Sequence, residues 1–160
     1  MEVFSTSEQL SAALAERVAA LAAAALAARG EFRIAIPGGS VAGLLAGGFA
    51  GQAADVGRWD WFWVDERCVA REDPRSNAGE AERAWLSRLA VPRERLHAMD
   101  GGRGPEAGAR DYEAELGRVS GTGPGEWPRL DLVVLGLGED GHVASLFPGH
   151  PALEETRRWV

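Results

Sequence analysis

A single cysteine, Cys68, is all the thiol chemistry the chain contains. That excludes an intrachain disulfide and a cysteine-based zinc cluster, and a reducing cytoplasm is the simplest setting for such a chain. Positive charge is also scarce: 17 basic against 24 acidic residues leave a formal net charge of -7. A phosphate-backbone binder needs the opposite balance, so no nucleic-acid partner is expected and any phosphate site must be local. Residues Leu10 to Ala28 are rich in alanine and leucine, but Glu16 and Arg17 interrupt them, and Glu2 stands where a signal peptide needs a basic start. Neither an export signal nor a membrane span is expected. The motifs G-x-x-x-x-G-K-[ST] and H-E-x-x-H do not occur, and the chain has no internal repeat and no low-complexity tail.

What remains is ordinary globular material. A length of 160 residues with 46% hydrophobic and 26% charged residues is enough for one domain with a sizeable core. Ser5 and Glu8 have capping-box spacing, and Leu10, Leu14, Val18 and Leu21 then recur at helical spacing until Gly30 supplies a stop. Phe32 to Ile36 reads as a short strand, Pro37-Gly38-Gly39-Ser40 as a loop, and Val41 to Phe49 as a second helix. Trp59 to Val64 is an aromatic-rich strand ending at Asp65-Glu66-Arg67. After a polar loop, Asn77 and Glu80 are placed to cap a helix reaching Leu89. Arg95 to Met99 reads as a short strand and Pro105 to Val119 as a helix diluted by Gly108 and Gly117. Ser120 to Pro128 is a Gly/Pro-rich connector into Leu132 to Leu135, whose unbroken apolar character predicts a strand covered on both faces. Strands alternating with helices predict an α/β fold: a mostly parallel sheet flanked by helices on both faces, a Rossmann-like three-layer sandwich.

Three loops follow three of these strands and, in a parallel sheet, meet at one edge. Gly38-Gly39-Ser40 offers backbone N–H groups at a helix start and a hydroxyl, and Arg67 offers a guanidinium fork; these are the donors a phosphate dianion requires. The plainer readings are a strand-to-helix turn with Ser40 as N-cap, and a surface ion pair between Arg67 and Glu66 or Asp73. In the third loop, Gly136, Gly138 and Gly141 leave Glu139, Asp140 and His142 as the reactive side chains. Asp140, two residues from His142, is placed to orient the ring for proton transfer, or else to bond its own backbone as a turn residue. His97 and His150 have no such setting and are expected at the surface. Gly136 to Gly141 also matches G-x-G-x-x-G, but two carboxylates inside the turn would repel a pyrophosphate, and Pro148 leaves little room for the helix that should hold it. Gly38 to Ala42 lacks the last glycine of a nucleophile elbow, so Ser40 is a poor acyl-enzyme candidate.

Ile34-Ala35-Ile36-Pro37-Gly38-Gly39-Ser40, then Trp63-Val64-Asp65-Glu66-Arg67 with Ser76-Asn77, then Leu135 to His142 followed by Ser145-Leu146-Phe147-Pro148-Gly149 resembles 6-phosphogluconolactonases in order and spacing. The resemblance spans nearly the whole chain, and D-G-H-x-x-S-L-F-P-G is its most specific block. It implies a cytoplasmic monomer that hydrolyses a small sugar-phosphate lactone, 6-phosphogluconolactone, in the oxidative pentose phosphate pathway, with no metal and no cofactor. By position, the resemblance makes His142 the general base, Asp140 and Asp65 its polar support, and Gly38, Gly39, Ser40, Asp65 and Arg67 the substrate and phosphate contacts. Ala70 and Ala78 depart from the family's usual proline and tyrosine, so that loop is expected to differ in shape. Family members continue well past the L-F-P-G block, with further strands, helices and a basic residue for the phosphate. The resemblance therefore implies a single α/β domain over residues 1–160 lacking its carboxyl-terminal elements, with an unpaired edge, an exposed apolar face and impaired activity. Two other functions fit the same loops: a related glucosamine-6-phosphate isomerase/deaminase, and a non-catalytic sugar-phosphate-binding module.

Overall fold

The computed structural model describes residues 1–49, 56–123 and 126–160; Pro124 and Gly125 of the Gly/Pro-rich connector lie outside the described residues. Helix α1 (Ser7–Arg29) leads into strand β1 (Phe32–Ile36), helix α2 (Gly39–Phe49) and strand β2 (Trp59–Trp63). Helix α3 (Asn77–Ala84), strand β3 (Leu96–His97), helix α4 (Pro105–Ser120) and strand β4 (Leu132–Val133) follow. The four strands form one sheet in the order β3-β2-β1-β4, and every pairing is parallel. The parallel α/β architecture read from the sequence is thus the observed one.

Helix α1 begins one residue later than the Ser5–Glu8 pair implies. Thr6 is the cap, its hydroxyl accepting from the Gln9 backbone N–H at 3.2 Å, while the Gln9 side chain reaches back to the Ser5 N–H at 3.1 Å. Thr6 and Gln9 have the same i, i+3 spacing as Ser5 and Glu8, which is why the sequence admits both registers. At the other end Gly30 takes a φ of 81° and its N–H closes on the Leu26 carbonyl. By length and composition α1 is apolar enough to cross a bilayer, but here its stripe of Ser11, Ala15, Val18, Ala22 and Ala25 is buried. Leu10, expected on the packed face, is 38% exposed. Small residues make the α1–α2 contact close: a Cβ on Gly48 would lie 2.4 Å from the Ser11 carbonyl oxygen.

Alternation along β2 divides the core in two. Trp59, Trp61 and Trp63 point to one face, where they join residues of α1, α2 and α3, with Phe49 stacked on Trp85. Phe62 points to the other, with Ala35 of β1 and Tyr112 and Leu116 of α4. Tyr112 fastens α4 to the end of β2, since its hydroxyl accepts from the Trp63 N–H and donates to the Trp63 carbonyl, both at 2.9 Å. Burial pushes this phenol well above its ordinary value.

Three expectations are corrected on this frame. Ser76, rather than Asn77, caps α3 by accepting from the Gly79 N–H, because Asn77 is already inside the first turn; the α-helix ends at Ala84 and a 3₁₀ turn covers Leu86–Leu89. His97 is not a surface group. It is 6% exposed, with Nε2 2.9 Å from Asp60 and Nδ1 2.7 Å from Glu115, and its ring lies on Phe62. Residue type and flanking sequence hide this, since the two carboxylates come from β2 and α4. The strand from Leu132, finally, is not covered on both faces. It is the sheet edge, pairs with β1 only through Leu132 and Val133, and leaves Val133 and Leu135 46% and 51% exposed, because α4 lies over β2 rather than over β4.

Candidate functional site

Parallel strands deliver their following loops to one end of the sheet, and here the three loops leave from adjacent strands. The Val64 N–H donates to the Ile36 carbonyl at 3.0 Å, so the β1 and β2 loops depart side by side. After β3 the chain returns to the far side of β1, which makes the β1–β4 boundary the point where strand order reverses and where open α/β sheets bind ligands. Gly38-Gly39-Ser40 stands on one side of that boundary and the Gly136–His142 loop on the other.

The third loop is built around its histidine. Gly138 N–H donates to the His142 carbonyl at 2.8 Å and Gly141 N–H to the Gly138 carbonyl at 3.0 Å, which folds the chain back on itself. A Cβ on Gly138 would sit 2.2 Å from the His142 ring, so only glycine lets the imidazole lie in this turn. The ring stacks on Phe147 with centroids 4.7 Å apart and is 35% exposed. Asp140 holds it from the other side: His142 Nδ1 is 2.5 Å from Asp140 Oδ1, which also accepts from the His142 backbone N–H at 3.2 Å. Asp140 thus bonds both the ring and the backbone of its own turn. The bonds from His142, side chain first, hold the Asp140 carboxyl below the usual carboxylate range. An ionised carboxylate only accepts, so the proton of a neutral ring sits on Nδ1 and the lone pair on Nε2. Among the described residues Nε2 has no hydrogen-bond partner.

In the first loop, α2 begins at Gly39, so Ser40 lies within the first turn and is not its N-cap. Its side chain is exposed, and among the described residues no side chain accepts from the backbone N–H groups at this helix start. Gly39 has a φ of +64°. In the second loop, the ion pair expected of Arg67 is not formed: Asp73 is taken by Arg75, Glu66 is taken by α3, and among the described residues Arg67 forms no salt bridge. Among the described residues its guanidinium donates only to the Arg75 carbonyl, at 3.3 Å, and stays exposed.

The loops are joined by residues that lie in the quoted blocks but received no site role from the sequence. Ser145, three residues past His142, donates to Asp65 Oδ2 at 2.6 Å, and the Asn77 amide donates to Asp65 Oδ1 and to the Asp65 carbonyl, both at 3.1 Å. Glu66 accepts from the Asn77 and Ala78 N–H groups and from the Ser76 hydroxyl, which locks the second loop onto the start of α3. Asp65 thus supports the third loop through Ser145 and does not touch His142 or Asp140 directly. The sequence signal for Asn77 and Ser145 was their membership of the blocks that carry the family resemblance; nothing in their chemistry alone marked them. Among the described residues no hydrogen bond links Arg67 to either of the other loops. A cavity of about 850 Å³ opens on the α4 side of the sheet; Asp65, Arg67 and Ser145 line its rim, but His142 and Gly38 to Ser40 do not. Phe62, Leu116, Leu130, Val133 and Leu135 make most of its wall apolar, so it is largely a feature of the uncovered sheet face. Among the described residues no three His, Cys, Asp or Glu side chains are placed to hold a metal ion.

Residues 5–160 match the family described as glucosamine-6-phosphate isomerases/6-phosphogluconolactonase. The chain belongs to that family. A probable chloroplastic 6-phosphogluconolactonase 3 of Oryza sativa subsp. indica is 36% identical over 167 residues, covering 99% of this chain and 51% of its own length. A 6-phosphogluconolactonase of the cyanobacterium Nostoc is 39% identical over 137 residues, covering 85% of this chain and 57% of its own. The solved 6-phosphogluconolactonase of Trypanosoma brucei superposes with a TM-score of 0.81 at 26% identity, over 99% of this chain and 67% of that one. The chain spans about half the length of the curated relatives it matches. Within the isomerase/lactonase family, these relatives carry the lactonase name.

Proposed function

We propose that the chain carries the catalytic loops of a 6-phosphogluconolactonase, which hydrolyses 6-phosphogluconolactone to 6-phosphogluconate in the oxidative pentose phosphate pathway. The observation that carries this reading is the commitment of His142 Nδ1 to Asp140, which leaves Nε2 as an accessible base. A lactone is an activated ester, so water that loses a proton to Nε2 attacks the carbonyl directly. The tetrahedral oxyanion then collapses, the bond from the carbonyl carbon to the ring oxygen breaks, and the imidazolium returns the proton to that oxygen. Water is consumed, no covalent enzyme intermediate forms, and His142 ends unprotonated. Asp140 remains a carboxylate through the cycle and favours the transient imidazolium. The N–H groups of Gly38 to Ser40 and the Arg67 fork suit the phosphate, whose anchoring aligns the distant carbonyl with the water.

The names of the relatives support lactone hydrolysis over ring opening with loss of ammonia. The exposed, unpaired Cys68 accords with a reducing compartment such as the cytoplasm, and a monomer suffices because the loops all come from one chain. The direct test follows acid release from 6-phosphogluconolactone at constant pH. Purified protein is expected to exceed the spontaneous rate; ammonia release from glucosamine 6-phosphate without lactone turnover overturns the reading, and binding of 6-phosphogluconate without turnover of either substrate favours a binding module. Arg67→Ala is expected to raise KM roughly 10- to 100-fold, the worth of a charge-assisted hydrogen bond or two, while kcat stays within about threefold. Steady-state kinetics at several salt concentrations check this, since the remaining KM should depend less on salt than the parent's.

A further inference from the structure

Asn77 sits between the first and second loops. Its side chain is buried at 2% exposure, and its Nδ2 faces two acceptors of the second loop, the Asp65 carbonyl and Asp65 Oδ1. With Nδ2 on that side, Oδ1 turns to the first loop, where it lies so close that a Cβ on Gly38 would be 2.0 Å from it. The reverse orientation would set an oxygen against two oxygens. Asp65 passes the contact onward, because its other oxygen accepts from Ser145 in the His142 loop at 2.6 Å. The Asn77 backbone is fixed as well, its N–H donating to Glu66 at 2.7 Å at the start of α3.

We infer that Asn77 is a positioning residue: its carboxamide sets the register of the Gly38 loop against the Asp65 loop and, through Asp65 and Ser145, against the His142 loop. It needs no contact with substrate to do so. A base and an anchored carbonyl held on different loops are productive only when those loops are in register, and a displacement of about 1 Å costs roughly a hundredfold in rate. Asparagine gives Asp65 a donor and sets a small, flat group against the bare Gly38, where a Cβ would lie 2.0 Å from Oδ1; aspartate keeps the shape but loses the donor, and glutamine adds a methylene where there is no space for one. The kinetic consequence rests on the lactonase reading above; the register itself does not.

The test uses Asn77→Asp, with Asn77→Asp/Asp65→Asn as its partner. In the single variant two carboxylates face each other across the former hydrogen bond. The expected result is a fall in kcat of about a hundredfold with KM changed less than about tenfold. The deficit relative to the parent should shrink toward pH 5, because one shared proton restores a donor between the two carboxyls. The double variant places an amide opposite the new carboxylate and is expected to recover at least about tenfold of the lost kcat. Amide NMR cross-peaks of His142, Val143 and Ser145 should move in the single variant and return toward their parent positions in the double one. If the parent proves inactive on the lactone, the lactonase reading fails and these cross-peaks alone decide the register. Unchanged kcat and unmoved His142-loop peaks overturn the inference. So does a loss that the double variant does not repair, or one that only tracks a lowered melting temperature, since either marks Asn77 as ordinary core.

Discussion

Replacing His142 by alanine is expected to lower kcat for 6-phosphogluconolactone by about 10²- to 10⁴-fold, the usual contribution of a positioned general base, and to leave 6-phosphogluconate affinity within about threefold. The asymmetry follows from where the ring stands. His142 is on a surface loop, its stack on Phe147 is half open to water, and the phosphate donors proposed above, Gly38 to Ser40 and Arg67, belong to other loops. Asp140→Asn should fall nearly as far. An amide at that position donates to Nδ1, which moves the ring proton to Nε2 and removes the lone pair that takes the proton from water. Asp140, held below the usual carboxylate range by its bonds from His142, keeps its charge as the pH falls into the mildly acid range. Initial-rate assays between pH 5 and pH 9, beside equilibrium titration with 6-phosphogluconate, separate the effects. An alanine variant that keeps its turnover removes His142 from the chemistry.

Asp60→Ala is expected to be the most damaging substitution for stability, at about 3–5 kcal/mol. Asp60 is 3% exposed and carries two partners, Arg95 on one oxygen and His97 on the other, at 2.8 and 2.9 Å. His97 continues the chain to Glu115, and Arg118 closes it with two bonds to that carboxylate. One cluster thus ties the sheet to α4. Deleting its centre leaves the buried His97 facing an empty space, and that uncompensated polar group, more than the lost attraction, sets the cost. Asp60→Asn keeps an acceptor and should cost less than half as much. Urea unfolding with matched slopes is the measurement, and a melting temperature for Asp60→Ala within about 2 °C of the parent refutes the argument. The outer end of the cluster carries a pH signature. The Glu115 carboxyl is pulled from an ordinary 4.5 down to about 2, chiefly by the Arg118 hydrogen bonds and then by His97. Because the folded value is the lower one, this pairing stabilises the protein above about pH 4.5 and is lost as pH falls toward 2.

Legibility differed between the elements of the fold and the joints of the site. Phe32–Ile36 and Trp59–Trp63 are identified to within a residue because their apolar or aromatic runs are bounded by glycine, proline or charge. The same local rule misleads at Leu132 to Leu135, where an apolar run says that burial is favourable but not which neighbours exist to provide it. Asp140 with His142 was readable because the two partners lie two residues apart, and geometry at that separation is largely local. Ser145 with Asp65 was not, since 80 residues separate them. His97 was misplaced for the same reason: a histidine between Leu96 and Ala98 in sequence turned out to lie between carboxylates from β2 and α4.

By itself the sequence determined the parallel α/β class, the family, the three loops and the single histidine with its carboxylate, because these depend on periodicity, turn chemistry and groups a few residues apart. Tertiary structure alone decided which face of β4 is open, that His97 is buried, and that Asn77 and Ser145 join loops that motif reading had kept separate. The physical reason is common to all three. Burial and long-range hydrogen bonds are properties of what arrives from elsewhere in the chain, and a residue's own neighbours in sequence carry no record of it.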